Sequence, residues 1–371
     1  MKASAAVSKR ILILNWRDPW HPKSGGAELF TFRIAEQLVQ KGWRIEWFSA
    51  AYPNAVPCET RDGIHFIRAG NQFTVHINAW LRYHRANNFD VVIDEINTIP
   101  FFAHFYQARS VALMFQLARE VWLFEAPPFI GRIGMAMEPF YLRLYRNRPI
   151  VTISESSALS FRQVGHRGPI HIVPIAVDEE ADKAVPNKTV GGDVIVIGRV
   201  TPSKRIDHSI RAAKLLIESG WTGQLHIVGT GSPRCLDTLK CLAGTLGIED
   251  RVIFHGRVAD DQRKKLLQDA SALWMTSTRE GWGLVVTEAA RHGTPAVVYD
   301  VPGLRDAVTD GVTGFVIEPH PYSLYRATAR LFSGEYSRMA EAALNQSKAL
   351  SWEAVSSALE QVLLDNVSSK T

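Results

Sequence analysis

The chain is predicted to fold as two α/β domains, each a parallel sheet flanked by helices, with a cleft between them. Three observations carry that prediction: a length of 371 residues, two successive series of short apolar runs alternating with helical patterns, and a charged break between the series. A chain this long exceeds one ordinary core and suits two of about 150–190 residues each. Hydrophobic residues make up 46% and charged residues 21%, a globular balance that sets disorder aside.

The first series opens with a strand at Ile11–Asn15 and a turn-rich loop, Trp16 to Ser24. Gly25 and Gly26 open a helix, predicted from Ala27 to Gln40, which Gly42 ends; Arg44–Ala50 resumes as strand. Apolar strands this short suit burial on both faces. Further strands are expected at Phe89–Ile93, Val111–Phe115 and Ile150–Ser154. Residues 178–191, with their charges, proline and glycine pair, read as the interdomain linker. The second series places strands at Val194–Gly198, Gln224–Val228, Val252–His255, Ala272–Ser277 and Ala296–Tyr299. Its helices are expected near Asp207–Ser219, Pro233–Leu246, Asp261–Ala270 and Leu284–His292. The expected domains are therefore 1–180 and 188–345. Residues 346–371, whose pattern at Trp352–Val367 is helical, are expected to return to the N-terminal domain.

Cys58, Cys235 and Cys241 form no even framework and match no metal-ligand spacing, which suits a reducing compartment. Lys2, Lys9 and Arg10 precede the apolar run Ile11–Leu14, which is too brief for a signal-peptide core. No apolar stretch approaches the roughly 18 residues of a membrane span. The expected location is cytoplasmic. Net charge is +5, and four of those charges fall in residues 1–187. That modest excess suits either an anionic partner or simple solubility; no nucleic-acid pattern accompanies it.

The chemistry concentrates in Glu280-Gly-Trp-Gly-Leu-Val-Val-Thr-Glu288, where a strand leads into a loop and the loop into a helix. Gly281 and Gly283 let a ligand approach the backbone, and the amides of Gly283 and Leu284 at the helix start favour an anion. Glu280 is placed for sugar hydroxyls and Glu288 for a ribose diol. On the carboxylates alone, a capping glutamate and a solvated helical one are the simpler explanation. A second loop shifts the balance: Arg199 and Lys204 both leave the strand Val194–Gly198 at the edge where open α/β sheets bind ligands. Two cations there can neutralise a diphosphate, although by themselves they also read as a solvated basic loop. Asp207 reads as an N-cap. The turn Gly229-Thr-Gly231 suggests a dinucleotide fingerprint, but its third glycine is missing and Phe254-His255-Gly256 supplies no acid for a ribose, which disfavours nicotinamide. A nucleotide base packed against Gly229 and Val258 remains compatible with the pattern.

Together these segments resemble glycosyltransferase family four, the retaining enzymes that build bacterial polysaccharides and glycolipids. The resemblance runs through Gly25-Gly26, Gly198-Arg199 with Lys204, Glu280 and Glu288, His292-Gly-Thr-Pro295, and Ser351-Trp352-Glu353. It implies a GT-B fold, two Rossmann-like domains whose parallel sheets face a central interdomain cleft. It further implies that Arg199 and Lys204 hold the donor diphosphate and Glu288 the ribose. Glu280 and the stretch Gly281, Trp282, Gly283, Leu284 would hold sugar and phosphate, with Gly25 and Gly26 contributing from the opposite domain. Glu280, Arg199 and Lys204 would form the catalytic set. The implied donor is a UDP-sugar such as UDP-glucose, acting as co-substrate, and the implied acceptor a saccharide or a lipid-linked one.

Many relatives carry a histidine after a central N-domain strand; here that stretch is Val111 to Leu117 and has none. Gln116, Phe115 or His104 are the alternatives near that position. Glu95 and Asn97, after the strand at Phe89–Ile93, suit acceptor contacts or helix capping equally. No Asp-x-Asp pair stands at a strand end, so no cofactor and no essential metal are expected, the two cations taking that role. In Phe129–Arg148, apolar residues at helical spacing run beside Arg132, Arg143, Arg146 and Arg148, which suits either peripheral contact with an anionic membrane or a core helix with a solvated basic face. The competing functions are a nucleotide-sugar epimerase of the same architecture and a non-catalytic nucleotide-sugar binder.

Overall fold

The computed structural model describes residues 9–125, 128–178, 180–185 and 188–368. They group into two compact units. The first comprises Met1–Leu117, Pro139–Ala176 and Ser351–Thr371, and the second Ala118–Glu138 and Val177–Leu350.

The first unit holds strands β1 (Arg10–Leu14), β2 (Arg44–Ser49), β3 (Cys58–Arg61), β4 (Ile64–Arg68), β5 (Val91–Glu95), β6 (Ser110–Leu113), β7 (Ile150–Thr152) and β8 (Ile170–Ile172). Their order is β3-β4-β2-β1-β5-β6-β7-β8. Ile11 lies opposite Ile45 on one side and Val91 on the other. Ile11 to Leu14 are wholly buried, because an all-apolar strand flanked by strands needs cover on both faces. Burying each such side chain stabilises by roughly 1.5–3 kcal/mol, so a charge at Ile13 would be the most disruptive single change here.

The pairing is parallel except at the edge, where β3 runs antiparallel to β4. Asp62 and Gly63, both at positive φ, form the two-residue turn between them. The sequence-based series omits this hairpin although its Asp-Gly signal is plain. Helix α1 (Gly26–Gln40) buries Phe30, Ile34 and Leu38 at four-residue spacing and stops at Gly42, φ +91°. It is followed by α2 (Val75–Tyr83), α3 (Val121–Glu125), α4 (Pro128–Leu144) and α5 (Glu155–Gln163). Of these, α3 and the part of α4 through Glu138 group with the second unit.

The second unit holds β9 (Val194–Ile197), β10 (Leu225–Val228), β11 (Val252–Gly256), β12 (Ala272–Met275), β13 (Ala296–Tyr299) and β14 (Gly314–Ile317), all parallel, in the order β11-β10-β9-β12-β13-β14. Its helices are α6 (Ile206–Glu218), α7 (Pro233–Thr245), α8 (Asp260–Asp269), α9 (Leu284–Arg291), α10 (Leu304–Ala307), α11 (Pro321–Arg330) and α12 (Tyr336–Lys348). A last helix, α13 (Trp352–Ser368), belongs to the first unit. There Trp352 packs on Phe30 with ring centres 5.3 Å apart, and Glu360 accepts the Trp43 indole N–H at 2.8 Å.

Two expected boundaries need correction. Residues 118–138 do not follow the N-terminal domain: Arg279 Nε meets Glu120 Oε2 at 3.2 Å, and buried Glu138 accepts the amides of Ala118 and Arg119. Nor is 178–191 a free linker, since Val177–Leu350 belongs to the second unit. Asp182 Oδ2 takes His292 Nδ1 at 2.9 Å, and Lys188 Nζ donates to the carbonyls of Leu267 and Ala270 at 3.1 Å each. Lys188 thereby caps the end of α8 and also meets Thr294, and its burial lowers its pKa to about 7. The His292-Gly-Thr-Pro295 segment thus anchors the connection. Lys2, Glu179, Pro186 and Asn187 lie outside the described residues. No helix among the described residues is long and apolar enough to cross a membrane.

Candidate functional site

Each sheet reverses its strand order at one place. In the second unit the chain lays down β9, adds β10 and β11 on one side, then returns to place β12, β13 and β14 on the other. The loops after β9 and β12 therefore diverge, and the crevice outside the C-terminal ends of such strands is where open α/β sheets take ligands. Those loops are 198–205 and 276–283.

The first loop turns tightly through Thr201–Arg205, with Arg205 at φ +48° as the N-cap of α6. Asp207 is therefore not the cap; it sits inside the first turn, where a carboxylate still favours the helix dipole. The turn aims Lys204 across to the second loop, where its Nζ pairs with Glu280 Oε1. Ser277 Oγ donates to that same oxygen at 2.6 Å. Lys204 and Glu280 side chains are 21% and 16% exposed, enough shelter to strengthen the pair while leaving it within a ligand's reach. Arg199 leaves the same loop with an exposed side chain.

Backbone packing fixes the carboxylate's position. Glu280 N–H donates to Pro302 O at 3.1 Å, and a Cβ on Gly303 (φ +85°) would stand 2.1 Å from Glu280 O. Only glycine fits at 303. After Glu280 come Gly281 and Trp282, whose indole N–H donates to Thr287 Oγ1 at 3.0 Å, folding the ring back on the first turn of α9. Gly283 is the N-cap, at φ +94°. From there Leu284 and its neighbours present helix-start amides that lack intrahelical acceptors, at the positive end of the dipole.

One helical turn on, Glu288 pairs with Arg263 of α8. Sequence reading missed Arg263 because it lies 25 positions away on a polar helix with no motif around it. Ser277 was legible in principle, since a hydroxyl three residues before a loop carboxylate is within reach of it. Gly229 has a structural demand of its own: its Cβ would stand 1.8 Å from Gly198 O, and its N–H donates to Gly256 O at 2.8 Å. Val258 packs its side chain on the core of this unit. Arg199, Lys204, Glu280 to Leu284 and Glu288 are thus gathered at one strand-order reversal, and Gly229 follows the adjacent strand.

The first unit reverses between β1 and β5. Asn15 and Arg17 follow β1, Glu95 ends β5, and Asn97 comes two residues later. Gly25 is the N-cap of α1, and its N–H donates to Glu28 Oε2 at 2.7 Å. Glu28 Oε1 takes Arg17 Nη2 at 2.6 Å and Asn97 Nδ2 at 3.0 Å, while Asn97 Nδ2 also donates to Asn15 Oδ1 at 3.0 Å. Glu28 is wholly buried and was not singled out from sequence, although its spacing three after Gly25 is that of a capping box.

The expected acceptor residues fare differently. Glu95 is wholly buried, so it is not a surface contact; desolvation, and then the Glu28 charge beside it, raise its pKa to about 8. Asn97 belongs to the network just described. Gln116 is half-buried on the loop after β6, and its Oε1 is enclosed with no partner among the described residues. His104 is buried against Phe105 and Tyr145, ring centres 4.1 and 4.3 Å away, and desolvation lowers its pKa to about 4. It is a neutral packing residue.

A cavity of about 470 Å³ that sequence reading did not foresee opens beyond the ends of β1, β2 and β4, lined by His21, Lys23, Tyr52, Asn71, Gln72 and Phe73. His21 lies 5.3 Å from both the Trp16 and Tyr52 rings. Aromatic faces beside amides and a cation suit a polar ring carrying hydroxyls. A second cavity, about 660 Å³, is lined by Asp182, Lys188, Gln268 and Asp269. Because α8 leads into β12, it lies at the strands' opposite, N-terminal ends.

Residues 177–348 match the family model described as glycosyl transferases group 1. D-inositol 3-phosphate glycosyltransferase of Mycolicibacterium gilvum is 32% identical over 191 residues, 48% of this chain and 42% of that protein. This chain therefore spans less than half that relative's length. The protein of the same name from Frankia alni is 26% identical over 377 residues, covering 89% of this chain and 92% of its own. Sucrose-phosphate synthase from Thermosynechococcus elongatus superposes with a TM-score of 0.79 at 18% identity, over 96% of this chain and 98% of that one. HepE of Anabaena, solved with UDP and glucose, gives 0.71 at 18% identity over 96% and 100%. At such identities these structures show the shared fold.

Proposed function

We propose that this chain, which has the GT-B fold of its solved neighbours, is a glycosyltransferase of the family-four type that transfers a hexose from a UDP-sugar to a saccharide or lipid-linked acceptor with retention of configuration, in polysaccharide or glycolipid biosynthesis. The observation that carries this reading is the Lys204–Glu280 pair at the strand-order reversal of the second unit, beside the start of α9.

Cleaving a sugar–phosphate bond leaves negative charge on the departing diphosphate. Lys204 and Arg199 supply fixed positive charge for it, and the amides at Gly283 and Leu284 supply oriented donors. Groups already in place cost no reorganisation as the charge develops. This chemistry asks for no metal, because the two cations neutralise the diphosphate themselves. Glu280, held by Lys204, Ser277 and the Pro302 carbonyl, offers its second carboxylate oxygen to the sugar hydroxyls. Glu288 accepts from the ribose diol, with Arg263 holding it in orientation. The resemblance also assigns Gly25 and Gly26 to the donor, although Gly25 already gives its N–H to Glu28; Gly229 and Val258 border the base.

For the acceptor, the cavity around His21, Lys23 and Tyr52 is the better-formed feature of the first unit. Asn97 and Gln116 are secondary contacts, and Glu95 acts through Asn97. HepE, which shares the fold, was solved with UDP and glucose, which supports uridine as the base. The test is product analysis of UDP-sugars incubated with saccharide and lipid-linked acceptors. A glycoside with the donor's anomeric configuration is expected. Conversion of the free UDP-sugar to its epimer without acceptor would establish the epimerase instead, and tight UDP-sugar binding without turnover under any acceptor would establish a binding protein.

A further inference from the structure

Three consecutive residues of the 276–283 loop are each tied to a different element. Thr278 N–H donates to Ser203 O at 2.8 Å, in the turn that carries Lys204, and Glu280 N–H donates to Pro302 O at 3.1 Å. Between them Arg279, its side chain 12% exposed, gives Nε to Glu120 Oε2 at 3.2 Å. The first two anchors belong to the second unit's long run, Val177–Leu350. The third reaches back 159 positions to the 118–138 segment, and no motif in the sequence singles it out.

Glu120 stands on a turn that is itself clamped. Buried Glu138 accepts the N–H groups of Ala118 at 2.6 Å and Arg119 at 2.7 Å, one on each carboxylate oxygen. Arg119 sits at φ +40°, a left-handed backbone that a residue with a side chain keeps only where its surroundings impose it. Glu120 then leads into α3, its carbonyl accepting Leu123 N–H at 3.0 Å. Two glycines key α4 onto α3: a Cβ on Gly131 would stand 2.4 Å from Trp122 O, and one on Gly134 2.6 Å from the Trp122 ring. In turn α3 packs against the Pro202–Lys204 turn. The 118–138 segment therefore braces both loops of the candidate site, one through α3 and the other through Glu120.

Burial raises the pKa of Glu138, against the opposing pull of the Arg119 and Ala118 amides and of the Arg119 and Arg279 charges. Arg279 thus faces two acids of the segment, touching Glu120 and sensing Glu138. An ion pair whose acid is 45% exposed adds little to stability. What it supplies is direction, because it draws the residue before Glu280 to one side of the loop.

We propose that Glu120 is a positioning residue for the donor sugar: through Arg279 it fixes the 276–283 loop, and so the Glu280 carboxylate and the Ser277 hydroxyl bound to it. This rests on the assignment of Glu280 to the sugar and of Arg199, Lys204 and Glu288 to the nucleotide.

The test is calorimetric titration of the full chain with UDP, UDP-glucose, UDP-galactose and UDP-N-acetylglucosamine, for wild type, Glu120→Gln, Arg279→Gln and the double variant. Glu120→Gln is expected to weaken the UDP-sugar that wild type binds best by about tenfold, with UDP affinity and melting temperature unchanged. Because Glu120 acts through Arg279, the double variant should bind that UDP-sugar no more weakly than Arg279→Gln alone. Equal UDP-sugar affinity in wild type and Glu120→Gln overturns the proposal and leaves the donor site standing. So does a parallel loss for UDP and UDP-sugar, or a fully additive double variant, since either would mark general loosening of the unit. Wild type that binds none of the four ligands overturns the donor reading and this proposal with it.

Discussion

At the strand-order reversal of the second unit, Lys204 and Glu280 meet with side chains 21% and 16% exposed, and Glu288 meets Arg263 at 14% and 25%. At the corresponding reversal of the first unit, Glu28 and Glu95 are wholly buried, and Glu28 is spent on Gly25 N–H, Arg17 and Asn97. The two sheets bring loops together by the same topology and fill the crevice in opposite ways. One holds charges that a ligand can still reach and rearrange. The other holds charges consumed in fixing the start of α1. A switch point is thus an address for chemistry, and burial of its charged groups decides whether it binds a ligand or shapes the backbone that does.

Removing either cation of the open site should have the largest effect. Arg199→Ala and Lys204→Ala are each expected to lower turnover on the order of 10²–10³-fold, as removal of one charge-stabilising donor does, with little change in melting temperature. Steady-state kinetics beside thermal unfolding separates the two readouts; near-wild-type turnover in a folded variant would remove that residue from the site.

The closed network should respond in stability instead. Glu28→Ala strands Arg17, Asn97 and the Gly25 amide around a buried gap and should cost about 2–4 kcal/mol in denaturant unfolding. A loss well below 1 kcal/mol would mean the network is dispensable to the fold.

The pH dependence sharpens the contrast. In the fold, burial and the neighbouring Glu28 charge raise the pKa of Glu95 to about 8 from its ordinary value of 4.5. Its neutral form therefore suits the fold, and its contribution is complete below about pH 4.5 and declines as pH rises to about 8. Across that window wild type should lose stability relative to Glu95→Gln by on the order of 1 kcal/mol per pH unit. Parallel stability–pH curves for the two proteins would contradict a buried, proton-holding Glu95.

The smallest effect is expected from Ser277→Ala, which removes one of several restraints on Glu280. Loss of a single hydrogen bond to a carboxylate should weaken donor affinity by roughly 1–2 kcal/mol, about five- to thirtyfold, read by the same titration used for wild type.

The sequence made the open site legible and the closed one opaque. Arg199, Lys204, Glu280 and Glu288 sit on strand-to-helix loops whose glycines and apolar flanks are local signals, so their shared edge follows from topology alone. The partner of each charge does not. Lys204 meets Glu280 across 76 positions, and Glu28 meets Asn97 across 69. No spacing rule reaches that far. Glu95 was read as a strand-end contact because burial of a terminal strand residue depends on what packs above it, here α1. The stretch 178–191 was read as a linker from its composition, whereas Asp182 and Lys188 use their charge to clamp His292 and the end of α8. The Asp62-Gly63 hairpin turn was fully local, and reading it needed only attention to its dipeptide.

Whether the donor nucleotide binds at the 198–205 and 276–288 elements of the second unit is read by calorimetric titration with UDP, and then GDP. Wild type, Glu288→Ala and Glu28→Gln would be run side by side. Micromolar UDP binding that weakens strongly in Glu288→Ala and stays close to wild type in Glu28→Gln is the predicted result. No heat with either nucleotide in a folded wild type, or equal affinity in Glu288→Ala, would contradict it.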